Sequence, residues 1–94
     1  MNNATVLVVD DEPDIRELLA LTLSRLNIRC DEASCVTQAI SKLKQNTYSL
    51  CLTDMRLPDG DGLDIVSHIN HQYATLPVAV ITAHGSMDLS LIHI

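Results

Sequence analysis

Carboxylates stand where apolar runs end in this chain. Val6-Leu-Val-Val9 leads into Asp10, Asp11 and Glu12; Leu50-Cys-Leu-Thr53 leads into Asp54; Leu57-Pro58 leads into Asp59-Gly-Asp61-Gly62. A buried strand gains nothing from bare charge at its mouth, so carboxylates gathered there need a metal ion, a proton or a cationic group. Two or three carboxylates with backbone carbonyls make a hard oxygen site suited to magnesium, and magnesium suits phosphate chemistry. A carboxylate left partly uncoordinated can act as a nucleophile and form an acyl phosphate. Asp54 is the best placed for that role, with Asp10 and Asp11 as its metal-holding neighbours. Thr82, at the end of a later apolar run, offers a hydroxyl to phosphoryl oxygens.

Plainer roles exist for acids at these positions. Asp10, Asp11 and Glu12 could cap a helix, and Asp59-Gly-Asp-Gly62 could be a turn. Capping needs one acid rather than three on two strands, so the turn reading is kept for Asp59 and Asp61 alone. A calcium loop fails: with Gly62 as its required glycine, Leu57 would be the first ligand and His68 the last. A phosphate-cradling glycine loop ending in Lys and Ser or Thr is absent. His68 and His71 are three apart but have no third ligand nearby, and read as solvated helix-face residues. Cys30, Cys35 and Cys51 match neither a paired disulfide framework nor a zinc ribbon, and read as small core hydrophobes.

Composition narrows the partners. The 94 residues allow one domain, 1–94, with a modest core. Twelve Asp and Glu oppose six Lys and Arg, and no basic stripe occurs, so binding to nucleic acid or an anionic membrane has no electrostatic support. No apolar run reaches the roughly 18 residues needed to cross a bilayer, and Met1-Asn-Asn-Ala does not resemble a signal peptide, so a cytoplasmic location is expected.

Strands and helices must alternate to position the acids. Thr5–Val9 is a short β-branched apolar run, as in a parallel strand buried on both faces. Ile15, Leu18, Leu19, Leu23 and Leu26 then follow a helical stripe, with Pro13 in the first turn and Asn27 closing the helix. Ile28–Asp31 alternates like an edge strand. Val36, Ala39, Ile40 and Leu43 give a second helix with Ser34 as its cap. Tyr48–Thr53 is a third strand, and Leu63, Val66 and Ile69 mark a third helix. Leu76–Thr82 is a fourth strand, and Ser86 would cap a last short helix. The order βαβαβαβα predicts an α/β doubly wound parallel sheet, whose ligands bind beyond the carboxyl ends of the strands. Asp10, Asp11, Asp54 and Thr82 all fall on that rim.

At this level of detail the residues are similar to a known family. Val8-Val-Asp-Asp-Glu-Pro13, Thr53-Asp-Met-Arg-Leu-Pro-Asp-Gly-Asp-Gly-Leu63 and Val80-Ile-Thr-Ala-His-Gly-Ser86 resemble, in order and spacing, the receiver domain of two-component response regulators. The wording around Asp54 and Thr82 is most similar to receivers of enhancer-binding transcription activators. The resemblance implies a flavodoxin-like receiver fold with strand order 2-1-3-4. It implies that Asp54 accepts a phosphoryl group from a histidine on a sensor kinase. Asp11 corresponds to a direct magnesium ligand, Asp10 to an acid that helps hold the ion through water, and the Arg56 carbonyl to the backbone ligand. Thr82 corresponds to the switch hydroxyl, and Arg56 and His84 to positions that tune phosphate lifetime.

Receivers continue with a fifth strand carrying a lysine that pairs with the phosphate, an aromatic switch residue and a fifth helix. None of these occurs in the 94 residues, so a receiver truncated at its C-terminus is expected. Slow phosphorylation, poorly coupled to any switch, would follow. The fourth strand would become an unprotected sheet edge, and self-association through it or through the last helix is expected. An inert fragment that binds metal without switching is an alternative. So is a magnesium-dependent phosphohydrolase, which would want an acid where Arg56 stands. Otherwise the domain is expected to catalyse nothing beyond its own phosphoryl transfer.

Overall fold

The computed structural model describes residues 4–84 and 88–93, with the backbone alone described for 82–84 and 88–93. Strand β1 (Thr5–Val9) is followed by α1 (Pro13–Arg25), β2 (Arg29–Ala33), α2 (Val36–Gln45) and β3 (Leu50–Asp54). Two short strands, β4 (Arg56–Leu57) and β5 (Gly60–Asp61), form a small antiparallel ribbon. Then come α3 (Gly62–Gln72), β6 (Val78–His84) and β7 (Asp88–His93).

Five strands make one sheet in the order β2-β1-β3-β6-β7. The first four are mutually parallel, and β6 is the expected fourth strand, so the 2-1-3-4 order holds. Helical crossovers supply the parallel connections.

The end of the chain differs from expectation. Among the described residues no helix follows β6: Asp88–His93 runs back antiparallel along it, pairing His84 with Asp88 and Ala79 with His93. The proposed Ser86 cap lies outside the described residues. The physical reason is the edge itself. An apolar strand with one open side presents a row of unpaired amides and carbonyls, and the alternating Leu89-Ser-Leu91 text can supply a matching ladder. The β6 edge is therefore occupied, and among the described residues neither surface expected to drive self-association, an open fourth strand or a last helix, is present in that form.

Successive side chains of each strand face opposite layers. Leu7, Val9, Cys51, Val78 and Val80 join Ile65 and Ile69 of α3 and Ala39 and Leu43 of α2 in the larger core. Val6, Val8, Leu52, Ala79 and Ile81 form the second, against Leu19 and Leu23 of α1. Each large side chain so buried contributes roughly 1.5–3 kcal/mol. Helix α1 has no fully buried residue, and Leu26, expected on its apolar stripe, lies past the helix end and is exposed.

Local signals explain the boundaries. Pro13 occupies the first turn of α1, where its missing N–H costs nothing. Asn27 closes the helix in the left-handed region (φ 60°), with Asn27 N donating to Ser24 O and Ile28 N to Leu23 O, a Schellman ending. Cys51 is fully buried, Cys30 packs against the second core and Cys35 precedes α2; all three are free thiols. No helix among the described residues is long and apolar enough to cross a membrane.

Candidate functional site

Strand register brings the acids together. Val9 pairs with Thr53, so Asp10, one residue beyond β1, stands level with Asp54 at the end of β3. Asp10, Asp11 and Asp54 each place one carboxylate oxygen within 4.8 Å of the others. Among the described residues this is the one group of three or more acids, histidines or cysteines able to share a metal.

The three are held differently. The Asp10 amide donates to the Ala33 carbonyl of β2 (3.0 Å), and its Oδ1 accepts from the Glu12 amide (2.9 Å). Asp10 is buried, with 4% of its surface exposed, while Asp11 is exposed. Burial pushes the Asp10 carboxyl up to about 6; the Glu12 amide opposes this, and the charges of Asp54, Asp11 and Glu12 add to it. Burial also raises Asp54, against the Met55 amide (2.8 Å to Oδ1), with the Asp11 charge raising it and the Arg56 amide lowering it. None of this is helix capping: Glu12 at the start of α1 makes no side-chain cap bond.

Asp54 is pinned from behind. Thr53, fully buried, donates its hydroxyl to the Asp54 carbonyl (3.0 Å). The Gly62 amide donates to the Met55 carbonyl (2.7 Å), bringing the start of α3 against the turn after β3. A Cβ on Gly62 would collide with the Asp54 carbonyl oxygen, so only glycine permits this approach.

Arg56 opens β4 opposite Asp61 and is exposed. Thr82 follows Ile81, the β6 partner of Asp54, so its backbone belongs to the same rim. It pairs there with Ser90 of β7.

Asp59 and Asp61 do more than turn the chain. Asp61 caps α3 in a reciprocal box with Asp64. Asp59 caps α2 from a distance, its Oδ1 accepting the Val36 amide (2.7 Å) and its Oδ2 the Thr37 amide (2.9 Å) and hydroxyl (2.7 Å). Ser34, expected to cap that helix, instead donates its amide and hydroxyl to Gln38 Oε1. His71 is exposed as expected and donates from Nδ1 to the Ser67 carbonyl (2.8 Å). His68 is only half-exposed: its ring tilts against Tyr73, 5.8 Å between centroids, and its Nε2 is buried.

The donor set fits magnesium. All three candidate ligand groups are carboxylates, two have proton affinities raised by burial and mutual repulsion, and a hard divalent cation relieves that repulsion.

A family model described as the response regulator receiver domain matches residues 6–92. Response regulator protein PilR of Pseudomonas aeruginosa is 50% identical over 91 residues, covering 97% of this chain and 20% of that protein. The DNA-binding transcriptional regulator NtrC of Proteus hauseri is 34% identical over 91 residues, covering 97% of this chain and 19% of that protein. The chain thus spans about a fifth of the length of these curated relatives. The crystal structure of response regulator TrrA from Thermotoga maritima, in complex with Mg2+-BeF, superposes with a TM-score of 0.77 at 32% identity, covering 80% of this chain and 65% of that one. The family match runs from β1 into β7, and the chain accordingly belongs to the response regulator receiver domains of two-component systems, resembling those of activators such as NtrC.

Proposed function

We propose that this domain is a phosphorylation-dependent signalling module in which Asp54 accepts a phosphoryl group from a phosphohistidine of a sensor kinase. The observation that carries the reading is the convergence of Asp10, Asp11 and Asp54 within 4.8 Å at the carboxyl ends of adjacent strands. Asp11, Asp54 and the Arg56 carbonyl would hold magnesium directly, and Asp10 through water. The bound ion supplies positive charge that lets the carboxylates stand ionised beside a phosphoryl group.

The chain's own groups do the rest. An Asp54 carboxylate oxygen attacks phosphorus; its new O–P bond forms as the N–P bond of the phosphohistidine breaks, and the imidazole leaves with the electron pair. The Met55 amide, already bonded to Asp54 Oδ1, holds the carboxylate in a fixed rotamer. Thr82 would meet the phosphoryl oxygens and report occupancy to the far side of the sheet. The mutual repulsion of the acids supports this reading, since it favours any state that brings a cation. The TrrA complex with Mg2+-BeF is a relative's precedent for such a ligand.

The wider reading is a cytoplasmic regulator whose receiver controls transcription through an output domain, with no reaction catalysed beyond its own phosphoryl transfer. Incubation with acetyl phosphate and magnesium, followed by intact mass, tests the core of it. One phosphoryl group should be gained, be lost on hydroxylamine treatment as an acyl phosphate is, and be absent in Asp54→Asn. Labelling that survives in Asp54→Asn would sink the assignment.

A further inference from the structure

We infer that Arg16 is the positioning residue of the metal site, a clamp that holds the peptide group between Asp10 and Asp11 and so the point from which the Asp11 side chain departs. The inference rests on the magnesium site proposed above. Arg16 lies in the first turns of α1, with 19% of its side chain exposed. Its Nη1 donates to the Asp10 carbonyl at 2.6 Å, and its Nε donates to Glu32 Oε1 on β2 at 3.1 Å. Strand β2 also takes the Asp10 amide, through Ala33. Both backbone polar groups of Asp10 are therefore held, one by the sheet and one by the guanidinium.

Peptide planarity carries this restraint forward. Fixing the Asp10 carbonyl fixes the plane containing the Asp11 nitrogen and Cα, so the point from which the Asp11 side chain departs is held and only the rotations beyond it remain to be ordered by a ligand. Asp11 needs such help. Its carboxylate makes no hydrogen bond among the described residues, and it is the exposed member of the three acids. Neither guanidinium contact is directed at a site carboxylate, so the clamp leaves the acids' negative charge available to a cation. The planar fork of arginine suits two acceptors in different directions, which a lysine ammonium on a flexible stem does not match.

Magnesium titrations followed by amide chemical shifts, on the folded domain, test the role. Arg16→Ala is expected to raise the half-saturating magnesium concentration about ten- to hundredfold, as loss of an outer-shell partner does. In the metal-free protein the Glu12 amide, bonded to Asp10 Oδ1, should exchange faster with solvent in the same variant. Arg16→Lys should bind more weakly than the original and more tightly than Arg16→Ala. Glu32→Gln, which weakens the second anchor and keeps its volume, should give a smaller loss in the same direction. Unchanged affinity in Arg16→Lys and Glu32→Gln overturns the clamp even if Arg16→Ala does not fold. Unaltered protein that fails to bind magnesium overturns the metal site and the clamp together, whereas binding that is equal in Arg16→Ala overturns the clamp alone.

Discussion

Asp59 accepts both the amide and the hydroxyl of Thr37, 22 positions earlier in the chain. Through this contact the turn that follows the Asp54 loop is fastened to the start of α2, while Asp61 in the same turn starts α3. One turn thereby sets the entry points of both helices on the larger core.

The hydrogen bonds from Thr37 and the amides of Thr37 and Val36 hold the Asp59 carboxyl down to about 2. A carboxylate whose folded pKa is depressed stabilises the fold above its unfolded value and loses that contribution as pH falls through the folded one. Stability conferred by Asp59 should therefore be intact above about pH 4 and vanish towards about pH 2. Thermal melts of Asp59→Asn should show a lower midpoint at neutral pH, converging with the original protein at the acid end.

Asp10 works in the opposite sense. Its folded pKa is raised to about 6, so its favourable contribution is full below the usual carboxylate range and is lost as pH rises through about 6. Asp10→Asn should stabilise the metal-free protein near neutral pH by about 1–2 kcal/mol, less than the full shift implies because solvent screens the neighbouring acids. Magnesium should offset the penalty in the original protein, and its affinity should fall below about pH 6 as the site binds protons. Denaturant melts with and without magnesium measure both effects.

Gly62→Ala places a methyl group against the Asp54 carbonyl. Overpacking against backbone costs about 1–3 kcal/mol, and the shift needed to relieve it moves the turn that follows Asp54. Urea unfolding should register the loss, and phosphorylation by acetyl phosphate should slow even at temperatures where the variant is folded.

Leu91→Pro tests the antiparallel strand. Leu91 pairs with Ile81, and proline removes an amide and resists the ladder. Freed of β7, the β6 edge should recruit other chains, so light scattering should report association in the variant beyond that of the original protein.

Much of this fold is legible in residue order because its signals are local. The β-branched run at Thr5–Val9, the 3.6-residue stripes of α1, α2 and α3, and Pro13 and Asn27 at the two ends of α1 each act within a few positions. The acid site is legible for the same reason: each carboxylate directly follows an apolar strand, and parallel register does the gathering. What escaped is non-local. Residues 88–93 are too short to choose helix or strand alone, and the open side of β6 decides for them. Asp59 finds its helix 23 residues upstream and so displaces Ser34, which has a nearer partner in Gln38. The Arg16 fork, likewise, depends on β2 lying beside β1.

The antiparallel return of β7 also bears on how the chain reaches this structure. Every other strand pair in the main sheet waits for a helix to form and cross over, whereas β6 and β7 meet across a separation as short as His84 to Asp88. Closure of so small a loop has little entropy to overcome, and ribbons of this kind assemble in roughly 1–10 μs. The strand most prone to errant pairing is thus the one that can find its native neighbour soonest, before the long-range crossovers are complete.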